Sequence, residues 1–185
     1  MISLIFLLVG VAGQVPFLGP CPEIETMDRL DVNRYMGKWY EAERYFAVFE
    51  FGGKCVTADY VPSKDGSINI INQQTSALTG IRSTIEGKAN MNGRSDDPKL
   101  TITFPQLPLN LQSPYWILDT DYDTYSVIWS CNKLGIFSLR NAWILTRSKK
   151  PALSSMEKAY SVLDRNSISR AYFIRTDQKN CPGKK

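Results

Sequence analysis

Eight short segments rich in β-branched and aromatic residues follow one another along this chain, at 38–45, 55–61, 67–74, 81–89, 99–104, 113–119, 125–131 and 141–147. Their length and steady spacing restrict the chain to an all-β fold. Between successive segments stand Lys64-Asp65-Gly66, Asn92-Gly93 and Leu134-Gly135, residues that suit the tight turns of antiparallel hairpins. Hairpins in series favour an up-and-down meander. Eight antiparallel strands are also about the number at which closure removes both sheet edges and encloses room for one small ligand. The expectation is therefore an eight-stranded antiparallel up-and-down β-barrel.

One stretch breaks the pattern. In 151–163, Leu153, Met156, Tyr160 and Leu163 fall on one helical stripe, and Pro151 is acceptable in a first turn. This predicts one C-terminal α-helix packed outside the barrel, with its Met and Tyr as core contacts. Residues 168–176 read as a short ninth strand lying beside 38–45. Gly37-x-Trp39 opens the first segment. A glycine there permits a tight turn, and the tryptophan supplies a large apolar plug for one end of a barrel.

At 185 residues the chain is long enough for one domain with a sizeable core. Residues 2–11 are apolar and end in the small Ala12 and Gly13, the form of a signal peptide and too short for a membrane span. The reading is a signal peptide at 1–13 and a single domain at 14–185, secreted and extracellular. Four well-separated cysteines, Cys21, Cys55, Cys131 and Cys181, then point to two disulfides with three connectivities open. With no histidine in the chain, histidine triads, an axial haem histidine and imidazole zinc sites are excluded. The net charge of +4 is spread along the chain and points away from nucleic acid.

Three places taken together are more specific: Gly37-x-Trp39, Thr120-Asp121-Tyr122 and Arg147. They resemble the three structurally shared regions of the lipocalins. With Cys21-Pro22, Asn33-x-x-Tyr35-x-Gly37-x-Trp39-Tyr40-Glu41 and the four-cysteine layout, the chain is similar to the apolipoprotein D and insect bilin-binding branch. The resemblance implies a calyx whose closed end has Arg147 across the Trp39 indole, with Asp121 bonding backbone donors in the same corner, all in structural roles. It also implies the pairs Cys21–Cys131 and Cys55–Cys181.

Strand alternation anchored to that family pattern assigns a ligand-facing wall. It comprises Ile70, Asn72, Gln74, Ile85, Leu100, Ile102, Phe104, Tyr115, Ile117, Ile128, Ser130, Leu139, Asn141, Trp143 and Leu145. Asn72, Gln74 and Asn141 are its oriented polar groups; the competing reading is a filled core. The apolar loop 46–53 would sit at the open mouth, where Phe49 and Phe51 close over a ligand, with Gly52-Gly53 as hinge, dock a membrane or receptor, or simply pack against the rim. Glu41 and Glu43 share parity with Trp39, so strict alternation turns both inward; a bulge or twist near the barrel end that lets them meet cations or solvent is expected instead of acid–base chemistry.

The function the resemblance implies is carriage of a small hydrophobic ligand, of bilin, fatty acid, retinoid or sterol class, without covalent chemistry. No cofactor is required; biliverdin is one candidate ligand. An enzyme would need a free cysteine in the barrel, as a few lipocalins have, and a partner-directed role would rest on Phe49 and Phe51.

Overall fold

The computed structural model describes residues 15–45, 52–106 and 112–181. The signal-peptide reading and the loop residues Phe49 and Phe51 lie outside them. The strands are β1 (Val15–Leu18), β2 (Gly37–Tyr45), β3 (Gly53–Pro62), β4 (Ile68–Ser76), β5 (Arg82–Met91), β6 (Lys99–Thr103), β7 (Gln112–Thr120), β8 (Tyr125–Leu134), β9 (Phe137–Thr146) and β10 (Phe173–Arg175). Two helices, α1 (Val32–Tyr35) and α2 (Leu153–Arg165), complete the described elements with a 3-10 turn at Arg170–Tyr172.

All strands join one antiparallel sheet in the order β1-β9-β8-β7-β6-β5-β4-β3-β2-β10, and a further pairing of β9 with β2 closes β2 to β9 into an eight-stranded barrel. Alternation then divides the apolar residues between two cores. Inside lie Trp39, Tyr60, Ile70, Leu100, Ile117 and Leu145 with their neighbours. Outside, Leu118, Val127, Trp129 and Ile144 of β7 to β9 meet Met156, Ala159, Val162 and Leu163 of α2. Burying these large apolar side chains contributes about 1.5–3 kcal/mol each. Leu153 departs from the expected stripe, being 73% exposed. As the first residue of α2 it precedes Ser155 and Met156, the first α2 side chains that are buried.

Three local differences from the sequence expectation have physical causes. Segment 168–176 forms only three residues of strand, Phe173↔Tyr45 to Arg175↔Glu43, because β2 gives its first half to β3 and leaves a short edge free. Before it, the Ser169 hydroxyl accepts from the Ala171 N–H at 3.3 Å and caps the 3-10 turn. The edge strand β1, which pairs with β9 through Val15↔Arg140 to Leu18↔Phe137, carries Pro16; proline hides a strand in a sequence yet is tolerated at an edge. The strand expected at 141–147 begins at Phe137, since Gly135 at φ 59° lets β8 and β9 reverse within two residues.

Candidate functional site

The closed end is built from the chain that precedes β2. Asp31 caps α1 by accepting from the Arg34 N–H at 3.1 Å, and α1 carries the fully buried Tyr35 under the barrel. The chain then turns at Gly37, whose φ of +90° is one that other residues rarely adopt. Trp39 is fully buried and its indole N–H donates to the Tyr35 carbonyl at 2.9 Å. Arg147 lies 3.8 Å above the Trp39 ring centroid. Its guanidinium donates to the carbonyls of Lys38 and Met36 at 2.9 Å, Arg34 at 3.0 Å, Tyr35 at 3.2 Å and Tyr122 at 2.9 Å. Burial lowers the Arg147 pKa, and nearby Tyr35 and Asp123 oppose that shift.

The turn from β7 to β8 completes the corner. The Thr120 hydroxyl donates to the Tyr125 carbonyl at 2.6 Å and accepts from the Tyr122 N–H at 2.9 Å. Asp121 accepts from the N–H groups of Asp123, Thr124 and Tyr125 at 3.2, 2.7 and 3.1 Å. Burial by itself raises the Asp121 pKa, but these bonds and the Thr124 hydroxyl hold it below the usual carboxylate value. Tyr122 has a left-handed φ of 69° and its hydroxyl accepts from the Asp31 N–H at 3.0 Å.

Above this floor stands an apolar wall. Ile70, Leu100, Ile102, Ile117, Ile128 and Leu145 are buried in one interior cluster, with Phe104, Tyr115 and Trp143 packed partly buried against it. Asn72 and Gln74 continue the face of Ile70 on β4 and are half-buried. Asn72 is paired opposite Ala58 and Ile85, and Gln74 opposite Ser83. Ser130 lies opposite Asn141, and Leu139 opposite Asn132, on the same face as the Ile128–Trp143 pair. Gly87 leaves room there: a Cβ would meet the Phe104 ring at 2.8 Å and Ile102 at 3.0 Å.

The interior also holds a polar cluster. A bulge at Ala42 shifts the β2 register so that Glu41 opposes Leu145, Glu43 opposes Ile144 and Arg44 opposes Trp143. Glu41 and Arg44 therefore share the inner face, whereas Glu43 points outward and accepts from the Tyr160 hydroxyl at 2.8 Å and Arg175 Nε at 3.2 Å. Only one of the two carboxylates that alternation would turn inward is there. Glu41 and Arg44 are 5% and 3% exposed, and Arg44 Nη1 donates to Glu41 Oε1 at 3.0 Å. The Thr176 hydroxyl donates to Glu41 and accepts from Arg44 at 3.3 Å. Burial raises the Glu41 pKa, opposed by Arg44 and by these hydrogen bonds.

Phenols extend this cluster. The hydroxyls of Tyr60 and Tyr115 are hydrogen-bonded to each other, and burial holds both pKa values well above the ordinary one. Tyr35, bonded to Ser126 at 2.9 Å, is pushed by burial up to about 12. All three stay neutral donors and acceptors at physiological pH.

Thr176 reaches the interior because the tail enters the seam between β2 and β3. Its N–H donates to the Ala42 carbonyl at 3.0 Å, and the Cys55 N–H donates to Asp177 at 2.8 Å. The Gln178 amide bridges the Glu41 and Val56 carbonyls at 2.9 and 2.7 Å. Disulfides join Cys55 to Cys181 and Cys21 to Cys131. Arg44 carries a signal only to a reader who knows where the bulge lies, since i and i+3 otherwise occupy opposite faces of a strand. Thr176 carries none.

Comparison with known proteins matches residues 30–178 to the lipocalin-like domain. The chain is 33% identical to apolipoprotein D of Cavia porcellus, covering 98% of this chain and 97% of that one. It is also 33% identical to the Lazarillo protein of Schistocerca americana, over 88% of this chain and 78% of the other. The solved structure of insecticyanin from Manduca sexta superposes with a TM-score of 0.79 at 24% identity, covering 91% of each chain.

Proposed function

The chain belongs to the lipocalin family, in the branch of apolipoprotein D, Lazarillo and insecticyanin, and on that premise we propose that it is a secreted carrier. It binds a small hydrophobic ligand noncovalently inside the barrel. The observation that carries this reading is the interior itself: an apolar and aromatic wall with a buried Glu41–Arg44 pair, joined by Thr176, among its polar groups. Pockets of this kind gain affinity from area and orientation from a few polar groups. Trp143, Tyr115 and Phe104 are the aromatic contacts; Asn72, Gln74, Ser130 and Asn141 are the remaining polar ones. A fatty acid, retinoid or sterol places its single polar end at Arg44 and Glu41 and its length along the wall. A bilin spans the same wall with its carboxylates toward Asn72, Gln74 and Asn141. Two disulfides fit an oxidising extracellular setting.

The test is purification from the native source, an absorption spectrum, and organic extraction with mass spectrometry. A visible band identifies a pigment, and a colourless extracted lipid removes biliverdin from the candidates. In parallel, retinol, a fatty acid and biliverdin are titrated while fluorescence quenching is followed, with Trp143→Phe separating the signal of the wall tryptophan from that of Trp39 at the closed end. Absence of both an extractable ligand and binding of any probe refutes the carrier reading.

A further inference from the structure

Strand register fixes which charges the barrel interior contains. The pairs Trp39↔Ala58, Ile70↔Gly87 and Ile128↔Trp143 mark the inner face. Along the inward positions of β2 to β9 the described residues carry one carboxylate, Glu41, and one guanidinium, Arg44; the others are apolar, aromatic, hydroxyl or amide residues. The cations at the strand ends toward the mouth fall on the outward face: Lys54 and Arg82 pair opposite Thr75, and Lys133 opposite Ser138. Arg147 lies beyond the end of β9, with its guanidinium taken up by carbonyls of the closed-end corner.

The two inner charges cancel. Arg44 Nη1 stands 3.0 Å from Glu41 Oε1, and the Thr176 hydroxyl bonds to both. Neutral hydroxyls adjoin them, since burial above all, with Tyr35 and Glu41 adding to it, keeps the Tyr115 phenol protonated. Trp143, opposite Arg44 in register, has its ring 6.1 Å from that of Tyr115, and both residues are only half-buried. They carry the surroundings of the ion pair into the accessible part of the interior. An ionised end group entering here gives up its water and finds each charge already matched by its opposite: a carboxylate drawn to Arg44 also meets Glu41, and an ammonium drawn to Glu41 also meets Arg44. A hydroxyl or carbonyl exchanges its bonds to water for bonds to these groups at little net loss.

Resting on the carrier reading above, we propose that the calyx selects its ligand by charge state: it takes a hydrophobic molecule whose inner end is a neutral hydroxyl or carbonyl group and discriminates against the same molecule ionised at that end. A long-chain or polyene alcohol, aldehyde, ketone or ester meets this requirement. A fatty acid takes the same place only in its protonated form, and carboxylates that stay ionised remain toward the mouth, where water reaches them.

The experiment uses four molecules of one carbon skeleton, retinol, methyl retinoate, retinoic acid and retinylamine, titrated at neutral pH into the disulfide-intact protein while tryptophan fluorescence is followed. The two neutral compounds are expected to bind at least about tenfold more tightly than the two ionised ones. The ester separates charge from shape, being larger than the acid yet uncharged. Glu41→Gln removes the negative member of the pair and is expected to move the preference toward retinoic acid by about tenfold; Arg44→Met removes the positive one and moves it toward retinylamine. Retinoic acid held as tightly as retinol, or an order of preference that Glu41→Gln leaves unchanged, overturns the proposal and leaves the carrier reading standing. Failure of the wild-type protein to bind any of the four refutes the carrier reading and this inference with it. Should the variants fold poorly, the wild-type series decides alone: an ester as weak as the acid assigns the discrimination to size and overturns the proposal.

Discussion

Replacing Arg147 by alanine tests whether the closed end is held by one side chain. The guanidinium reaches five carbonyls and covers the Trp39 indole, but the five do not count equally. Arg34 is exposed, so its carbonyl rehydrates, and the Tyr35 carbonyl keeps the Trp39 N–H. Those of Met36, Lys38 and Tyr122, in half-buried residues, are left with impaired hydration. Three charge-assisted bonds, discounted for partial access of water, with a cation–π contact of about 1 kcal/mol, give a loss of about 3–5 kcal/mol. For a chain of this length that corresponds to a fall in Tm of roughly 6–20 °C. The assay is urea denaturation with disulfides intact, followed by tryptophan fluorescence, with the m-value checked for two-state behaviour. Arg147→Lys keeps the charge but replaces a planar fork by a point donor and is expected to lose about half as much. Ligand affinity in both variants should stay within about threefold of wild type, because every Arg147 contact lies in the closed-end corner and none is with a residue of the proposed ligand wall. A loss below about 1 kcal/mol for alanine, or a large loss of affinity without a loss of stability, refutes the assignment of Arg147 as a structural clamp.

Three further outcomes follow from the same geometry. Glu41 has a raised pKa through burial, so the folded state binds the proton more tightly than the unfolded chain. The stability difference between wild type and Glu41→Gln should therefore grow as pH falls through the folded pKa toward 4.5 and level off below it; denaturant titrations at several pH values read this, and a difference that shrinks contradicts it. Asp121 behaves oppositely: its depressed pKa gives stability that is complete above the unfolded value of 3.8 and lost as pH falls through the folded one. The advantage of wild type over Asp121→Asn should vanish below that range, as followed by acid titration of the near-ultraviolet circular dichroism. Replacing Cys55 and Cys181 by serine opens a separation of 126 residues and is expected to destabilise by up to about 5 kcal/mol on the chain-entropy model. Hydrogen exchange should rise at Thr176 and in the first half of β3, and unchanged protection there would show that the tail holds without its bond.

The barrel was legible because hairpin turns and strand alternation are local properties. Lys64-Asp65-Gly66 and Leu134-Gly135 mark turns that join neighbouring strands of the sheet, and Ile70, Ile102, Ile117 and Leu145 lie on the face that alternation assigns. Features that depend on a competition between distant segments were not legible. How much of 168–176 becomes strand is decided by how far β3 has left β2, which no window of sequence contains. The same holds for β1, whose Pro16 argues against a strand until the free edge of β9 is in place. Glu41 and Glu43 show the intermediate case: a bulge or twist was foreseeable from two carboxylates at inward parity, but which of the two, and its position at Ala42, which keeps Glu41 inside with Arg44 and sends Glu43 to Tyr160, was not.

That bulge ties the two halves of the molecule together. By separating Glu41 from Glu43 it gives one carboxylate to the interior and the other to α2 and β10, and the same tail that carries Arg175 to Glu43 carries Thr176 to Glu41. The interior ion pair and the outer packing of the helix are consequently set by one short stretch of β2. A buried pair of this kind adds little net stability over apolar residues of equal volume, yet removing one partner costs about 3–5 kcal/mol. On the proposed carrier reading, its presence in the interior is therefore better explained by a polar group of the ligand than by the stability of the barrel. Replacing Glu41 and Arg44 together by Gln and Met separates the two accounts. On the ligand account, the double variant keeps its stability within about 1–2 kcal/mol and loses discrimination between a ligand with a polar end group and its hydrocarbon counterpart. Retained discrimination would return the pair to a purely structural role.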